Sequence, residues 1–266
     1  MFFRITAYLL APLYLAALLW RGRREPGIWR GLGERFGRGA PLPAPVWLHA
    51  ASVGEVQAAA VLVAALRAHD ALMPLLVTTT TAAGLARARA LFVDVGIAVR
   101  YAPLDLPGAV RRFLQGVRPR LAIILETEIW PNLFGACGTA HLPLVMVSAR
   151  LSANSARRYQ WLGPVLREAL AAVTQVAAQS AADAQRFAAL GVPAERIAVT
   201  GNLKADLTIP DTVLENGLRL RAQLGRERPI WVAGSTHESE EQQVLLAHRA
   251  PAGPGIRHGR WRGKDP

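Results

Sequence analysis

Four charged side chains each follow an apolar run of the sequence that predicts a β-strand. They are three carboxylates, Glu55, Glu126 and Glu128, and one amine, Lys204. A carboxylate can accept the proton of a hydroxyl nucleophile, and a cation can stabilise an anionic leaving group. If the fold gathers these side chains in one crevice, the pattern predicts group transfer from an activated donor.

Glu55 follows a turn of small residues, Ser52 and Gly54, and opens a predicted helix at 56–69. A strand, a small-residue turn and a helix place a functional group at the carboxyl end of a sheet strand. A Glu in the first helical turn can also cap amides and favour the helix dipole. That position predicts a pKa below the usual value, which an apolar lipid-facing pocket would counter.

The second cluster, Glu126 and Glu128, follows the wholly apolar run Leu121–Leu125. Unpaired charge is costly to bury, so packing does not explain two carboxylates at the end of a buried strand. In extended geometry the two would share a face. The structural alternative is a solvated loop with Asn132 or Glu128 as a helix cap, and Pro131 suits the start of a helix there.

Other polar residues after strands are expected to bind substrate. Arg150 could bind an anion or form an ion pair with Glu126 or Glu128, and the alternative is an ion pair with a purely structural role. For Lys204 the alternative is an isolated position on the surface. His49 is expected to be a hydrogen-bonded core residue, and no cluster has metal-ligand spacing, so we expect no metal and no cofactor. The expected substrate-binding residues are Ser52, Gly54, Glu128, Arg150, Asn202, Ser235, Thr236 and His237.

Strands and helices alternate from residue 46 to about 205, which predicts an α/β fold with a doubly wound parallel sheet. One long helix is expected at 156–173. After a linker at 206–211, a helix at 212–224 and a strand at 230–233 begin a second α/β unit. The tail 249–266 lacks apolar periodicity and predicts disorder, so we expect that second domain to be only begun and the chain to be truncated.

The formal charge of +12, from 31 basic and 19 acidic residues, is concentrated at the two ends. Residues 5–20 are almost wholly apolar and precede a group of Arg residues, which predicts a membrane anchor over 1–24, either a signal-anchor or an interfacial helix. An ordinary buried helix is the alternative. No nucleic-acid signature is present. The single cysteine, Cys137, excludes an internal disulfide and is expected to be a buried, inert thiol.

Several strings resemble, in order, those of the 3-deoxy-D-manno-octulosonic acid (Kdo) transferase family. The resemblance implies a GT-B-like glycosyltransferase with two Rossmann-like domains, anchored at the cytoplasmic face of the bacterial inner membrane. It implies inverting, metal-independent transfer of Kdo from CMP-Kdo to a lipid A precursor in lipopolysaccharide biosynthesis. The strings are Ala51-Ser52-Val53-Gly54-Glu55, Thr78-Thr79-Thr80-Thr81-Ala82-Ala83-Gly84, Tyr101-Ala102-Pro103-Leu104-Asp105, Leu125-Glu126-Thr127-Glu128-Ile129-Trp130-Pro131-Asn132, Ala149-Arg150-Leu151-Ser152, Gly201-Asn202-Leu203-Lys204-Ala205-Asp206 and Ser235-Thr236-His237-Glu238.

By position, the resemblance implies that Glu55 is the proton acceptor and that Glu126 and Lys204 stabilise the transition state. It divides the chain into the anchor, an acceptor-binding domain at 25–205, a linker and begun donor-binding domain at 206–248, and the tail. Two departures stand out: Ala205 replaces a usual aromatic residue, and the family's CMP-binding segments after Ser235 are absent. A non-catalytic remnant that binds only acceptor lipid is therefore an alternative, and an unrelated basic membrane or nucleic-acid binder is another.

Overall fold

The computed structural model describes residues 12, 16, 20, 22, 23, 31–207, 211–227, 229–234, 236 and 239–249. The chain divides into two compact units, Met1–Thr208 and Ile209–Pro266. The predicted anchor over 1–24 and the predicted disordered tail lie almost entirely outside the described residues. Where the structure does describe the chain, no helix combines the length and apolar character that crossing a membrane requires.

The first unit is built on a seven-stranded sheet in the order β3-β2-β1-β4-β5-β6-β7, and every neighbouring pair is parallel. The predicted doubly wound α/β fold is thereby confirmed. The strands are β1 (Val46–His49), β2 (Leu75–Thr79), β3 (Ala98–Tyr101), β4 (Leu121–Leu125), β5 (Leu144–Ala149), β6 (Gln175–Ala178) and β7 (Ile197–Val199).

Helices connect the strands, and the helix predicted at 56–69 spans Val53–His69. Two short 3₁₀ helices, Ala194–Arg196 and Leu203–Asp206, flank β7. The α-helices of the first unit are α1 (Leu32–Arg35), α2 (Val53–His69), α3 (Ala82–Phe92), α4 (Pro107–Val117), α5 (Pro131–Thr139), α6 (Ala153–Gln160), α7 (Gly163–Ala171) and α8 (Ala181–Ala189).

Apolar cores cover both faces of the sheet. Successive side chains of a strand point to opposite faces. Accordingly Trp47 of β1 and Ile124 of β4 pack in one apolar cluster, while Leu48 and Leu125 pack in the other. This two-sided burial explains why β4 reads as an unbroken apolar run, as parallel strands covered by helices on both faces do.

The strand order reverses at β1, whose neighbours are β2 on one side and β4 on the other. At such a switch point the connections leave in opposite directions and open a crevice at the carboxyl ends of the strands, where ligands bind in this class of sheet. Glu55 follows β1 and Glu126 follows β4. The fold therefore brings two of the predicted carboxylates to the same edge of the sheet.

The prediction of one long helix over 156–173 is wrong. The structure has two helices there, α6 ending at Gln160 and α7 beginning at Gly163. Gly163 has a φ of +48°, in the left-handed region, and Pro164 has no amide hydrogen to continue the helical ladder. These two residues interrupt the apolar periodicity from which the longer helix was inferred.

The described part of the second unit contains two helices, α9 (Asp211–Leu224) and α10 (Glu240–Arg249). The predicted strand at 230–233 is wrong, because the described segment 229–234 has no regular structure. A strand requires a neighbour to satisfy its backbone groups, and the described residues of this unit provide none. Trp231 instead donates its indole N–H to Nδ1 of His248 at 3.3 Å.

Candidate active site

Glu55 lies in the first turn of α2 and is only 8% exposed. Ser52 is the N-cap residue, and its hydroxyl oxygen accepts the Glu55 amide at 3.3 Å while donating to Glu55 Oε1 at 2.9 Å. Glu55 Oε2 accepts the Ala51 amide at 2.8 Å. The capping arrangement anticipated from the sequence therefore exists, and it holds the carboxylate in one orientation.

Burial raises the pKa of Glu55 above its ordinary value. Hydrogen bonds from Ala51 and Ser52 favour the ionised form but do not outweigh burial, and the negative charges of Glu128 and Glu126 raise the pKa further. The prediction that the helix N-terminus lowers this pKa is wrong, because desolvation of the buried carboxyl group, which acts in the direction expected of an apolar pocket, is the largest effect. A carboxylate with a raised pKa is a stronger base.

Glu126 occupies the turn after β4 with a φ of +56°, in the left-handed region. The prediction that Glu126 and Glu128 share a face of an extended segment is therefore wrong. The turn directs the Glu126 carboxylate to Lys204, whose Nζ lies 2.6 Å from Glu126 Oε1. A positive φ costs energy for a residue with a Cβ atom, so the surrounding contacts hold this conformation.

Lys204 lies in the 3₁₀ helix after β7, and its amine reaches the start of α2. A Cβ atom built on Gly54 would lie 3.6 Å from Lys204 Nζ, an ordinary contact distance. The amine thus stands beside the residue that precedes Glu55, while it also bonds Glu126. The turns after β1, β4 and β7 converge at one place, and they bring a base candidate, a second carboxylate and a cation together there.

Glu128 completes a group of three carboxylates. Its Oε2 accepts the indole N–H of Trp130 at 2.9 Å and lies 3.9 Å from Nε2 of His49. Burial alone would raise the pKa of Glu128, but the interactions with His49 and Trp130 outweigh it and lower the pKa. Glu128 is therefore held ionised next to Glu55, whose pKa is raised.

The other predicted binding residues divide into three groups. Asn202 accepts the amide of Lys204 at 3.0 Å and so caps the 3₁₀ helix. Arg150 is exposed, its carbonyl accepts the hydroxyl of Thr127, and no ion pair joins its guanidinium to any described residue. The expected ion pair with Glu126 or Glu128 is therefore not formed.

The third group belongs to the second unit. Thr236 donates its hydroxyl to Glu241 at 2.9 Å within that unit. Ser235 and His237 lie outside the described residues. Within the described part of the chain, no three His, Cys, Asp or Glu side chains are grouped so that they could hold a metal ion.

The family model described as "3-Deoxy-D-manno-octulosonic-acid transferase (kdotransferase)" matches residues 30–207, which include β1 to β7 and the convergent turns. The chain belongs to the Kdo transferase family. A 3-deoxy-D-manno-octulosonic acid transferase of Haemophilus influenzae is 39% identical over 90% of this chain and 57% of its own length. One of Bordetella pertussis is 41% identical over 91% of this chain and 60% of its own. The chain thus spans somewhat more than half the length of these curated Kdo transferases.

The fold of this chain is similar to that of the Anabaena protein HepE, whose crystal structure was solved in complex with UDP and glucose. The TM-score is 0.51 at 18% sequence identity, over 79% of this chain and 59% of that one. At this identity the likeness concerns the fold alone. It agrees with the Rossmann-like sheet described above.

Sequence reasoning missed a cluster of threonine hydroxyls that supports the base candidate of this Kdo transferase family member. Thr79, Thr80 and Thr81 donate their hydroxyls to the carbonyl of Ala51 at 2.9, 3.0 and 3.2 Å. The same Ala51 offers its amide to Glu55. The four consecutive threonines were visible in the sequence, but only the parallel register of β1 and β2 shows where their hydroxyls point.

A second missed network holds the segment that carries Lys204. Ser148 is buried at a bulge near the end of β5 with a φ of +52°, which turns its hydroxyl toward the end of the sheet. That hydroxyl accepts the amide of Leu203 at 3.2 Å and the side-chain N–H of Gln179 at 3.1 Å. The sequence shows Ser148 two residues before Arg150, but it does not show that the backbone takes a positive φ there and turns the hydroxyl toward Leu203.

Proposed function

We propose that this chain carries the acceptor-activating site of a Kdo transferase, which moves Kdo from CMP-Kdo to a lipid A precursor in lipopolysaccharide biosynthesis. The transfer is inverting and requires no metal. The observation that carries the proposal is a buried carboxylate of raised pKa, Glu55, beside the Lys204–Glu126 ion pair at the switch point of the sheet.

In this mechanism Glu55 takes the proton of the acceptor's sugar hydroxyl. The hydroxyl oxygen attacks the anomeric carbon of Kdo, and the bond to CMP breaks with its electron pair leaving on the phosphate. Glu55 already accepts hydrogen bonds from Ser52 and Ala51, yet an ionised carboxylate has about four lone-pair sites and can accept the substrate hydroxyl as well. An inverting reaction needs only one such base, since the acceptor attacks from the face opposite CMP.

Lys204 supplies positive charge where the transition state develops negative charge, on the departing phosphate or on the Kdo carboxylate. Glu126 stabilises the positive charge that grows on the sugar ring as the bond to CMP lengthens. The 2.6 Å contact between the two side chains keeps both in place before substrate binds. Ser52, Gly54, Glu128, Arg150 and Asn202 are proposed to contact substrate in the same crevice, and Ser235, Thr236 and His237 are proposed to bind the donor.

We also propose that residues 25–205 form the acceptor-binding domain and that 206–248 begin the donor-binding one. The acceptor is a lipid, and the apolar and Arg-rich N-terminal sequence suits the anionic cytoplasmic face of the inner membrane. Each Lys or Arg near a membrane surface contributes about 1 kcal/mol to the binding of anionic lipid.

The test is transfer of Kdo from CMP-Kdo to a tetra-acylated lipid A precursor in detergent, with this chain and with Glu55→Gln. Circular dichroism establishes that both are folded. Glu168→Gln is the matched control, because Glu168 is an exposed carboxylate on α7. Any product that this chain forms should persist in Glu168→Gln and disappear in Glu55→Gln.

A chimera separates the role of these residues from the length of the chain. It continues this chain with the corresponding C-terminal part of the Bordetella pertussis relative. Transfer by the chimera that disappears with Glu55→Gln supports the proposal even if the chain alone gives no product. A folded chimera that is inactive, or one that tolerates Glu55→Gln, overturns it.

A further inference from the structure

His49 is the last residue of β1 and lies at the switch point of the sheet, where it is 1% exposed. Its Nδ1 lies 2.9 Å from the hydroxyl oxygen of Thr78, on the neighbouring strand. The same hydroxyl oxygen accepts the indole N–H of Trp47 at 2.8 Å. Trp47, Thr78 and His49 thus form a buried hydrogen-bonded chain across β1 and β2.

The direction of this chain fixes the tautomer of His49. The indole nitrogen of Trp47 can only donate, so the Thr78 oxygen is its acceptor. Thr78 is fully buried and its own hydroxyl hydrogen needs an acceptor, which Nδ1 of His49 provides if it carries no proton. The proton of the neutral imidazole therefore resides on Nε2.

The Nε2–H group has no hydrogen-bond partner among the described residues, although it is fully buried. It lies 3.9 Å from Glu128 Oε2, within ion-pair range but beyond hydrogen-bond length. The opposite tautomer would leave an unprotonated nitrogen facing a carboxylate and would strand the Thr78 hydroxyl. Both considerations favour Nε2–H directed at Glu128.

We propose that His49 is a positioning residue, held as the Nε2–H tautomer by Trp47 and Thr78, which directs its N–H group at Glu128 and so orients that carboxylate beside Glu55. His49 does not touch the reacting atoms and acts through Glu128. The effect of His49 on catalysis rests on the proposed function, in which Glu55 is the base. The effect of His49 on the charge of Glu128 does not depend on the proposed function.

The groups that face Glu128 come from several elements. His49 and Trp130 favour its ionised form, and Glu55 at the start of α2 and Tyr159 on α6 are influenced by its charge. The remaining charges nearby, Glu126 and Lys204, are paired with each other. Glu128 raises the pKa of Glu55, so a Glu128 that is kept ionised favours a stronger base.

The first experiment is to record the imidazole ¹⁵N resonances of the full chain, which distinguish the two neutral tautomers. We expect Nε2–H for His49, and we expect that preference to be lost in Thr78→Val. Thr79→Val is the matched control, because Thr79 is equally buried on the same strand but donates its hydroxyl to Ala51. An Nδ1–H tautomer in the wild type, or the same loss in Thr79→Val, overturns the proposal.

The second experiment compares His49→Gln with His49→Asn, because the Gln amide places an N–H near the position of Nε2 and the Asn amide near that of Nδ1. The titration of Glu128 is followed through its ¹³C carboxyl resonance. In His49→Asn the midpoint should move to higher pH, and in His49→Gln it should stay near the wild-type value. Equal midpoints in all three chains, while they remain folded, would refute the role of His49.

These measurements need no turnover, so they remain decisive if the proposed function fails. If transfer is observed, the acid limb of its pH profile adds a third readout. Losing the charge of Glu128 lowers the pKa of Glu55, so the acid limb should move to lower pH in His49→Asn and not in His49→Gln. A purely structural loss would lower the rate at every pH without moving the limb.

Discussion

Lys204 and Glu126 are separated by 78 residues, yet Lys204 Nζ lies 2.6 Å from Glu126 Oε1. The side chain of Lys204 is 40% exposed and that of Glu126 is 19% exposed. Solvent screens a pair of this exposure, and such pairs contribute from zero to about 1 kcal/mol to stability. The strained turn at Glu126 is therefore poorly explained by stability, which agrees with the role proposed for the pair in transfer.

Lys204→Met should separate stability from activity. We expect the free energy of unfolding in urea to fall by less than about 1 kcal/mol, whereas transfer should fall by roughly a hundredfold or more. Arg219→Met is the control, because it breaks an exposed pair with Glu215 and should change neither quantity. A Lys204→Met chain that transfers Kdo at the wild-type rate would contradict the role of the amine.

Gly84→Ala should destabilise the first unit through the threonine cluster. A Cβ atom there would lie 2.8 Å from the hydroxyl of Thr81 and closer still to that of Thr79. Moving either hydroxyl weakens its bond to the Ala51 carbonyl, so we expect a loss of about 1–3 kcal/mol in urea unfolding. Gly135→Ala, in α5, meets no atom within 4 Å and should gain up to about 1 kcal/mol. Equal changes in the free energy of unfolding for Gly84→Ala and Gly135→Ala would show that the threonine hydroxyls do not lie close to Gly84.

The raised pKa of Glu55 predicts how stability depends on pH. A carboxyl group that is more basic when folded contributes stability below its unfolded pKa and loses that contribution as the pH rises through the folded pKa. Relative to Glu55→Gln, the wild type should therefore become less stable as the pH rises over that window, by at most about 1.4 kcal/mol per pH unit. Urea unfolding of the wild type and of Glu55→Gln across the pH range measures this difference. A difference that grows in favour of the wild type would mean that the pKa is lowered.

The sequence predicted the sheet and the place of the site because both depend on local patterns. Mostly apolar runs of three to five residues predicted the strands, and the polar residues after them marked the carboxyl edge of the sheet. Glu55, Glu126 and Lys204 could be named on that basis. Their convergence followed from the rule that the ends of parallel strands share an edge.

What the sequence could not predict depends on contacts between distant residues. The acceptor for the hydroxyls of Thr79, Thr80 and Thr81 is set by the register of β1 against β2. The pKa of Glu55 depends on its burial in the folded chain and on the charges of Glu128 and Glu126, which follow β4. Gly163 and Pro164 are visible in the sequence, but the apolar periodicity continues on both sides of them and predicted one helix where there are two.

Cys137 should be an unreactive thiol. It is fully buried in α5, and burial raises the pKa of its thiol from 9.0 to about 12. That shift leaves about a thousandfold less thiolate at neutral pH, and the thiolate is the reactive species. We expect no measurable alkylation by iodoacetamide in the folded chain and complete alkylation in guanidinium chloride. Rapid alkylation of a folded chain would show that α5 opens locally.

Ser148→Ala should loosen the segment that carries Lys204. The substitution removes the acceptor of the Leu203 amide and a partner of the Gln179 side chain, and it keeps the strained backbone without its hydrogen bonds. We expect a loss of about 1–3 kcal/mol in stability and faster hydrogen exchange at the amide of Leu203, because a half-buried donor is left without its acceptor. Ser155→Ala, which removes a half-buried hydroxyl on α6 that bonds Ser152, is the control and should leave that amide protected. If Ser148→Ala leaves exchange at Leu203 unchanged, then the position of Lys204 is set by the backbone of β7 and not by Ser148.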